Sequence, residues 1–444
     1  MVHLSHPLIQ KYCGKMQMHK FVIGTNKWII LALVSFLVSI VGLVANLTIE
    51  VPSHVSVWFI TGVSAIIAVF SSVKDWTELR KLSKFYQLDI VNSKGGIARK
   101  FKEYEPEKEN NFEKSSTFTK LPPEYVGFIV IRYANYYAIY SKLVNKELKN
   151  GKFNIKLKKE KFKLHETSKV LASFVLKSFF ETSATVFNSK KIRLVTDLTE
   201  AIFKSPSNVD IEIQETDYFS TLVTNDIATK TFFDTAHNLV FDGYSNFIET
   251  GPDKLRPLVD SENICSNHMG GSTIAFSSDG KMHIVIQGAG NVQSANLLAP
   301  SGSGSFDFED LENKTDFVEM VTSAINRELR EECGINDNIS INTILIGYAR
   351  YLNRGGLPQF FGISYVNDTD HNFKKKPTES PYVAKVNGQT MDRTAIEKFQ
   401  ADLASFKEHK ENNFSFVLWL NIKFLEDFLC QNPVEFIDFL HGKP

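Results

Sequence analysis

The stretch from Glu319 to Ile335, which reads EMVTSAINRELREECGI, constrains the fold of this 444-residue chain more than any other part of the sequence. On a helix, Glu328, Glu331 and Glu332 occupy positions i, i+3 and i+4 and therefore share an arc of roughly 100°. An apolar stripe beside them consists of Val318, Val321, Ile325 and Leu329. The pattern predicts an amphipathic helix with three carboxylates at the edge of its packed face.

These three carboxylates would repel one another unless a cation neutralised them. Hard oxygen ligands of this kind suit Mg²⁺ or Mn²⁺. Gly334, directly after the last predicted turn, supplies a helix stop. The alternative is a solvated helix face on which the acids pair with Arg327 and Arg330.

The same stretch resembles the Nudix box, in which a glycine, a glutamate and an Arg-Glu-apolar-x-Glu-Glu-x-Gly-apolar run follow one another at fixed spacings. The residues that match are Glu319, Arg327, Glu328, Glu331, Glu332, Gly334 and Ile335. The glycine expected six residues before Glu319 is instead Asn313, and the nearest upstream glycines are Gly302 and Gly304. The resemblance implies an α/β/α sandwich that binds a divalent metal and the diphosphate of a nucleotide.

The resemblance also implies roles for particular residues. In a hydrolase, Glu328, Glu331 and Glu332 would be the catalytic residues and would hold Mg²⁺ or Mn²⁺. A Ser-Gly loop stands where Nudix hydrolases place a Pro-Gly-Gly turn, and its backbone N–H groups would bind phosphate. The expected nucleotide- and phosphate-binding residues are Ser301, Gly302, Ser303, Gly304, Arg327, Arg350 and Arg354. A flexible connector is the alternative interpretation of the loop.

Two uncharged apolar segments, 28–49 and 55–73, are each long enough to cross a bilayer core. The link between them, residues 50–54, contains no Lys or Arg, whereas lysines precede the first segment and basic residues follow the second. The positive-inside rule then puts both termini in the cytoplasm. The sequence therefore predicts a membrane α-helical hairpin of two transmembrane helices in a multi-pass protein.

Small and polar residues recur along one face of each predicted span. The residues expected to pack there are Ser35, Ser39, Gly42 and Asn46 in the first span, and Thr61, Ser64, Ala68 and Ser71 in the second. In lipid, such residues permit close helix approach and hydrogen bonding between helices. The seams predict packing either of the two spans against each other or between the subunits of a homo-oligomer.

The rest of the chain divides by composition. We expect a tail at 1–27, the hairpin at 28–73, a polar connector at 74–124, an intermediate α+β segment with a Lys-rich strand at 125–190, and a Nudix-like nucleotide-binding domain at 191–444. Within that domain the pattern predicts a hairpin of Ser272–Phe276 and His283–Gln287, and further strands that include Phe416–Leu420.

Lys plus Arg equals Asp plus Glu at 50 each, so the net charge indicates no particular partner. The four cysteines are scattered, which argues against a zinc site and a disulfide framework.

The order of hairpin, connector and Nudix-like domain resembles the two-transmembrane–Nudix effectors of bacterial cyclic-oligonucleotide antiphage signalling (CBASS). The resemblance implies an inner-membrane effector that senses a cyclic nucleotide made by a neighbouring nucleotidyltransferase and then disrupts the bilayer, which kills the infected cell. Direct nucleic-acid binding is not expected. The alternative is a membrane-anchored Nudix hydrolase that cleaves a nucleoside diphosphate derivative with Mg²⁺, and the sequence leaves enzymatic activity open.

Overall fold

The computed structural model describes residues 121–443 except 182–185, 205–208, 234–237, 252–253, 259–263, 289–295 and 377–381, together with short pieces between residues 17 and 92. The strands are β1 Asp89–Asn92, β2 Ile129–Tyr133, β3 Tyr136–Tyr140, β4 Asn154–Leu157, β5 Lys190–Leu194, β6 Asp210–Asp217, β7 Lys230–Phe233, β8 Leu239–Asp242, β9 Glu249–Gly251, β10 Lys254–Leu255, β11 Gly270–Ser277, β12 Lys281–Gln287, β13 Leu298–Ala299, β14 Gly302–Ser305, β15 Ile341–Tyr351, β16 Leu357–Val366 and β17 Val383–Thr390. The helices are α1 Lys142–Asn150, α2 Glu166–Glu181, α3 Glu200–Phe203, α4 Tyr218–Leu222, α5 Phe317–Cys333, α6 Ile396–Lys410, α7 Phe416–Gln431 and α8 Pro433–Leu440.

The largest sheet is mixed and runs in the order β13-β12-β11-β16-β15-β3-β2, with β14 paired to β11 and β17 paired to β12. Strand β11 is parallel to β16 and antiparallel to its other partners. The first half of β11 pairs with β14, and its second half pairs with β12. This division brings β14 into the sheet directly before the chain enters α5.

The two faces of this sheet bury different helices, because successive strand residues point to opposite sides. On one face Tyr348 and Phe360 join a core that includes Ile325 of α5. On the other face Phe361 joins a separate core that includes Phe424 of α7. Helix α5 is therefore held against the sheet along one side, and its carboxylates lie at the edge of that side, where Glu332 accepts a hydrogen bond from the Ser303 N–H of β14.

A smaller sheet, in the order β4-β6-β5, packs against the same core as α5. Its strand β5 runs beside the start of β11 and the end of β14, because Ile192 N–H donates to the Phe306 carbonyl and Met269 N–H donates to the Ile192 carbonyl. The small sheet therefore places β5 next to the segment that connects β14 to α5.

The prediction of a transmembrane hairpin is corrected. Within the part of the chain that the structure describes, no helix has both the length and the apolar character needed to cross a bilayer. The fold class is mixed α/β with large sheets, and the multi-pass inner-membrane localisation that depended on the hairpin is withdrawn. Segments 28–49 and 55–73 lie almost entirely outside the described residues, as do all of the predicted seam residues except Ser35.

Of the predicted secondary-structure elements, some are confirmed and others are wrong. The helix over the carboxylate stretch is confirmed by α5, and the predicted hairpin is confirmed by β11 and β12. The predicted strand at Phe416–Leu420 is wrong, because these residues form the first turns of α7. The Ser-Gly run predicted as a loop is instead strand β14.

Candidate functional site

Helix α5 has well-defined ends. At its start the Asp316 carboxylate accepts a hydrogen bond from the Glu319 N–H, at 2.8 Å. At its end Gly334 adopts a left-handed conformation with φ of 66°. A Cβ at Gly334 would also lie 2.1 Å from the Lys374 carbonyl oxygen, so both the conformation and the space require glycine there. The helix is therefore fixed over the whole length that carries the acids.

Strand β14 lies unusually close to α5, and its two glycines make this approach possible. A Cβ at Gly302 would stand 2.5 Å from the Leu329 Cα, and one at Gly304 would stand 2.2 Å from the Glu328 carboxyl carbon. The adjacent Ser301 is buried, and its hydroxyl donates to the His283 carbonyl at 2.5 Å. These residues therefore serve as a packed strand against the helix.

The carboxylate of Glu332 closes the contact between helix and strand. It accepts a hydrogen bond from the Ser303 backbone N–H at 3.0 Å, and its side chain is buried. The Ser303 N–H, which the sequence suggested for phosphate, is thus engaged with Glu332 in this structure.

The Arg327 guanidinium contacts several of the other carboxylates at this place. Its Nε and Nη2 donate to the two Asp310 carboxylate oxygens at 2.7 and 2.9 Å. Nη2 also lies 2.9 Å from Glu328, and Nη1 lies 3.0 Å from Glu331. Burial works against the charged form, but the acids around Arg327 outweigh it and raise the pKa of this side chain further. Arg327 is therefore a fixed cation.

Lys191 of β5 is a second cation at the same place. Its Nζ lies 2.5 Å from an Asp307 carboxylate oxygen, and its side chain is only 8% exposed. It also donates to the Ser305 carbonyl at 3.3 Å, at the end of β14. Two cations thus face the acids, one from α5 and one from β5.

Glu328 is the most perturbed acid of the group. Burial raises the pKa of its carboxyl to about 7, although the positive charges of Arg327 and Lys191 act in the opposite direction. Its side chain is 13% exposed. A carboxyl that changes protonation near neutral pH inside a cluster of charges is a typical mark of a functional site.

The donor set in its present arrangement does not fit a metal ion. No group of three His, Cys, Asp or Glu side chains in the described ranges is placed to hold one. Glu328 and Glu331 face Arg327, and Glu332 faces Ser303. The expectation of Mg²⁺ or Mn²⁺ stays a prediction from the sequence.

The structure separates the other two predicted arginines from this cluster. Arg350 is 1% exposed and lies against the Tyr125 ring, where its guanidinium bonds the Tyr125 hydroxyl and the Gly356 and Arg256 carbonyls. Arg354 is 20% exposed, and its Nε donates to Asp226 at 2.5 Å. Among the described residues, neither side chain pairs with an acid of α5.

Sequence reasoning missed Lys191, Asp307 and Asp310. The two aspartates lie in the short acidic run DFED, directly between β14 and α5, which was a visible signal. Lys191 gave no local signal, because only the docking of β5 beside β14 brings it to the acids.

We define the box junction as the side chains of Lys191, Asp307, Asp310, Arg327, Glu328, Glu331 and Glu332. No family model and no curated protein matches the chain. The crystal structure of DR0079 from Deinococcus radiodurans is similar to part of it, at 16% sequence identity and a TM-score of 0.22. That similarity covers 41% of this chain and 97% of the other, and it carries no argument about function here.

Proposed function

We propose that the box junction binds the phosphate groups of a nucleotide and that the protein is a nucleotide sensor. The observation that carries this proposal is the position of the largely enclosed Glu328 carboxylate, 2.9 Å from the Arg327 guanidinium, where burial raises the pKa of this carboxyl to about 7. In its protonated form Glu328 donates a hydrogen bond to a phosphate oxygen, and the two cations supply charge-assisted bonds. A neutral Glu328 also removes one of the negative charges that would repel a phosphate.

The engagement of the other box acids favours a sensor over an enzyme. Glu331 is bonded to Arg327, and Glu332 holds the Ser303 N–H. These carboxylates therefore organise the helix, the strand and the arginine. The resemblance drawn from the sequence supports a cyclic nucleotide as the messenger, made by a neighbouring nucleotidyltransferase in an antiphage system. Binding would act by favouring one conformation or oligomer of the protein through differential affinity. Membrane disruption is not part of the proposal.

The pH dependence of binding tests the role of Glu328. A bound phosphate raises the pKa of this carboxyl further, so binding takes up a proton, and affinity falls as pH rises through about 7. Titration calorimetry of the full chain with cyclic dinucleotides should give affinity about tenfold tighter at pH 6 than at pH 8.

Two variants sharpen this measurement. Glu328→Gln keeps a hydrogen-bond donor but does not ionise, so its affinity should be the same at both pH values. Glu319→Gln is the matched control on the same helix, because Glu319 is 57% exposed and pairs only with Lys314 among its described contacts. Absence of binding, or the same pH dependence in Glu328→Gln as in the wild type, would refute the proposal.

The same carboxyl supports a second candidate function, hydrolysis of a nucleoside diphosphate derivative. An ionised Glu328 is a suitable general base, because its pKa lies near the working pH. In that case the rate should rise with pH through about 7, opposite to the dependence expected for binding. Incubation of the full chain with ADP-ribose and nucleotide sugars in the presence of Mg²⁺ decides the matter. Turnover that is lost in both Glu328→Gln and Glu331→Gln would establish the hydrolase and exclude a pure sensor.

A further inference from the structure

A short piece of the chain near the N-terminus packs against the α/β core. Gln17, Met18, Lys20, Phe21 and Val22 have helical backbone conformation. Residues four apart share a helix face, so Gln17 lies beside Phe21 and Met18 lies beside Val22. Met18, Phe21 and Val22 pack against the same hydrophobic core as α5, whereas Lys20 is exposed. This piece therefore has one face on the core and one face in solvent.

Two specific contacts fix the place where it docks. The Gln17 Oε1 accepts a hydrogen bond from the Asn188 backbone N–H at 2.6 Å. The Phe21 ring meets the Phe219 ring edge to face, with centroids 5.6 Å apart and an interplanar angle of 89°. Asn188 and Phe219 also bond each other, because the Phe219 N–H donates to the Asn188 Oδ1 at 2.9 Å. We define these four residues as the N-terminal contact.

The N-terminal contact lies at the end of the β5–β6 pair that carries Lys191. The strand register places Lys191 opposite Thr216. Asn188 precedes Lys191 by three residues, and Phe219 follows Thr216 by three residues. At about 3.3 Å per strand residue, the backbones of Asn188 and Lys191 are about 10 Å apart or less. The N-terminal contact and a cation of the box junction are therefore held by the same two chain segments.

Lys191 also attaches β5 to the segment that leads into α5. Its backbone forms a bridge with Asp307, and its Nζ lies 2.5 Å from the Asp307 carboxylate. The same Nζ donates to the Ser305 carbonyl at 3.3 Å. A phosphate that binds Lys191 competes with Asp307 for the ammonium group, because both are anions. Binding thus weakens the attachment that holds β5, and with it Asn188, in position for Gln17.

We propose that the N-terminal contact is a latch, which is closed in the ligand-free protein and opens when the box junction binds phosphate. This inference rests on the proposed sensor function and adds the step by which binding changes the conformation of the chain. Because coupling between two sites is reciprocal, opening the latch raises the affinity for the ligand. A passive packing contact has no such linkage.

Hydrogen exchange of the full chain, followed by mass spectrometry, measures whether the latch is closed. Backbone amides exchange when the docked helix opens locally. Gln17→Ala removes the hydrogen bond and Phe21→Ala removes the ring contact, so each should speed exchange at residues 17–22 about fivefold. Gln400→Ala is the matched control, because Gln400 is an exposed glutamine of α6. Unchanged exchange at 17–22 in both latch variants overturns the latch.

A further variant tests the link to the box junction without any ligand. Asp307→Asn keeps the size of the side chain but weakens its hold on Lys191, so exchange at residues 17–22 should speed up about threefold or more. Glu319→Gln is the control on α5, because Glu319 is 57% exposed and pairs with Lys314. Exchange in α6 is the internal reference for global unfolding. If Asp307→Asn leaves residues 17–22 unchanged, or speeds α6 equally, the link is refuted.

The ligand measurement uses cyclic di-AMP, cyclic di-GMP and inorganic pyrophosphate, each titrated into the full chain. A bound probe should speed exchange at residues 17–22 in the wild type. Gln17→Ala should bind the same probe about fivefold tighter, by the factor that its exchange increases, because less of the affinity is lost to opening the latch. Gln400→Ala should change neither quantity.

The outcomes separate the latch from the proposed function. If a probe binds with the pH dependence assigned to Glu328 but changes neither the exchange at residues 17–22 nor the affinity of Gln17→Ala, only the latch fails. If exchange and affinity respond as expected but Glu328→Gln keeps the pH dependence of the wild type, the role of Glu328 fails and the latch stands. If no probe binds, the proposed function fails, and the latch fails with it as a ligand-controlled device.

Discussion

Arg327 and Arg350 are both arginines that meet carboxylates inside the fold, yet their surroundings differ. Arg350 is 1% exposed and has one acid nearby, Asp197, 3.6 Å from its Nη1. The Tyr125 hydroxyl and two backbone carbonyls complete its coordination. Arg327 is 26% exposed and has four acids within 4 Å, among them Glu328.

The difference lies in charge balance. Around Arg350 one cation faces one anion, and both side chains are buried from solvent. This arrangement is typical of a structural ion pair. Around Arg327 the acids exceed the cation, and burial, with a smaller contribution from the charges of Glu331 and Asp307, raises the pKa of Glu328 to about 7. The unbalanced, partly open cluster can respond to a charged ligand or to pH, whereas the balanced one cannot. Both arginines looked alike in the sequence, so only their surroundings distinguish them.

The largest effect should come from breaking the balanced pair. Arg350→Met leaves the buried Asp197 without its cation, and we expect a loss of about 3–5 kcal/mol in the free energy of unfolding. Urea denaturation measures it. Arg350→Met/Asp197→Asn should recover part of the loss, because the carboxylate is then neutral. A loss below about 1 kcal/mol for the single variant would show that the pair is not structural.

The two glycines of β14 should differ from each other. In Gly302→Ala the new Cβ meets the backbone of α5 at Leu329, so we expect a loss of about 1–3 kcal/mol from overpacking. In Gly304→Ala it meets the carboxyl end of Glu328, which can rotate away, so the stability loss should be smaller. Thermal denaturation of both variants checks the order. Equal losses of stability in the two variants would mean that β14 and α5 can move apart to accommodate either methyl group.

Stability should depend on pH through Glu328. Its pKa rises from 4.5 to about 7 on folding, so the stability linked to its protonated form is complete below 4.5 and is lost as pH rises through 7. Glu328→Gln removes this loss and should be more stable than the wild type at pH 8, by about 1–2 kcal/mol, but not at pH 4. Urea denaturation at both pH values measures this. A variant that is equally destabilised at both would contradict it.

The sequence predicted the elements whose signals are local. Helix α5 was predicted from its apolar stripe and from the helix stop at Gly334. The hairpin of β11 and β12 was predicted from the alternation of apolar and polar residues and from the turn between the strands. Strand β14 was not predicted. Its glycines permit a close tertiary contact with α5, whereas in the sequence alone a Ser-Gly run is typical of a flexible loop.

Two errors have other physical causes. The apolar run at Phe416–Leu420 fits a buried strand as well as a helix, and Ser415, which caps α7 by accepting from the Leu418 N–H, was the overlooked local signal. The predicted hairpin at 28–73 rested on hydropathy, on segment length and on the distribution of basic residues around the two segments. The pairing of Lys191 with Asp307 depends on two sheets meeting, which no local pattern reports.

The smallest effect should come from the exposed side of the unbalanced cluster. Glu331 is 43% exposed, and Arg327 keeps its bidentate contact with Asp310 when Glu331 is neutralised. Glu331→Gln should therefore change the free energy of unfolding by less than about 1 kcal/mol, and high salt should reduce the difference further. Urea denaturation at low and high ionic strength measures both. A loss well above 1 kcal/mol that persists in salt would mean that Glu331 helps to fix Arg327. The cluster would then resemble the sealed pair at Arg350, and its case as a ligand site would weaken.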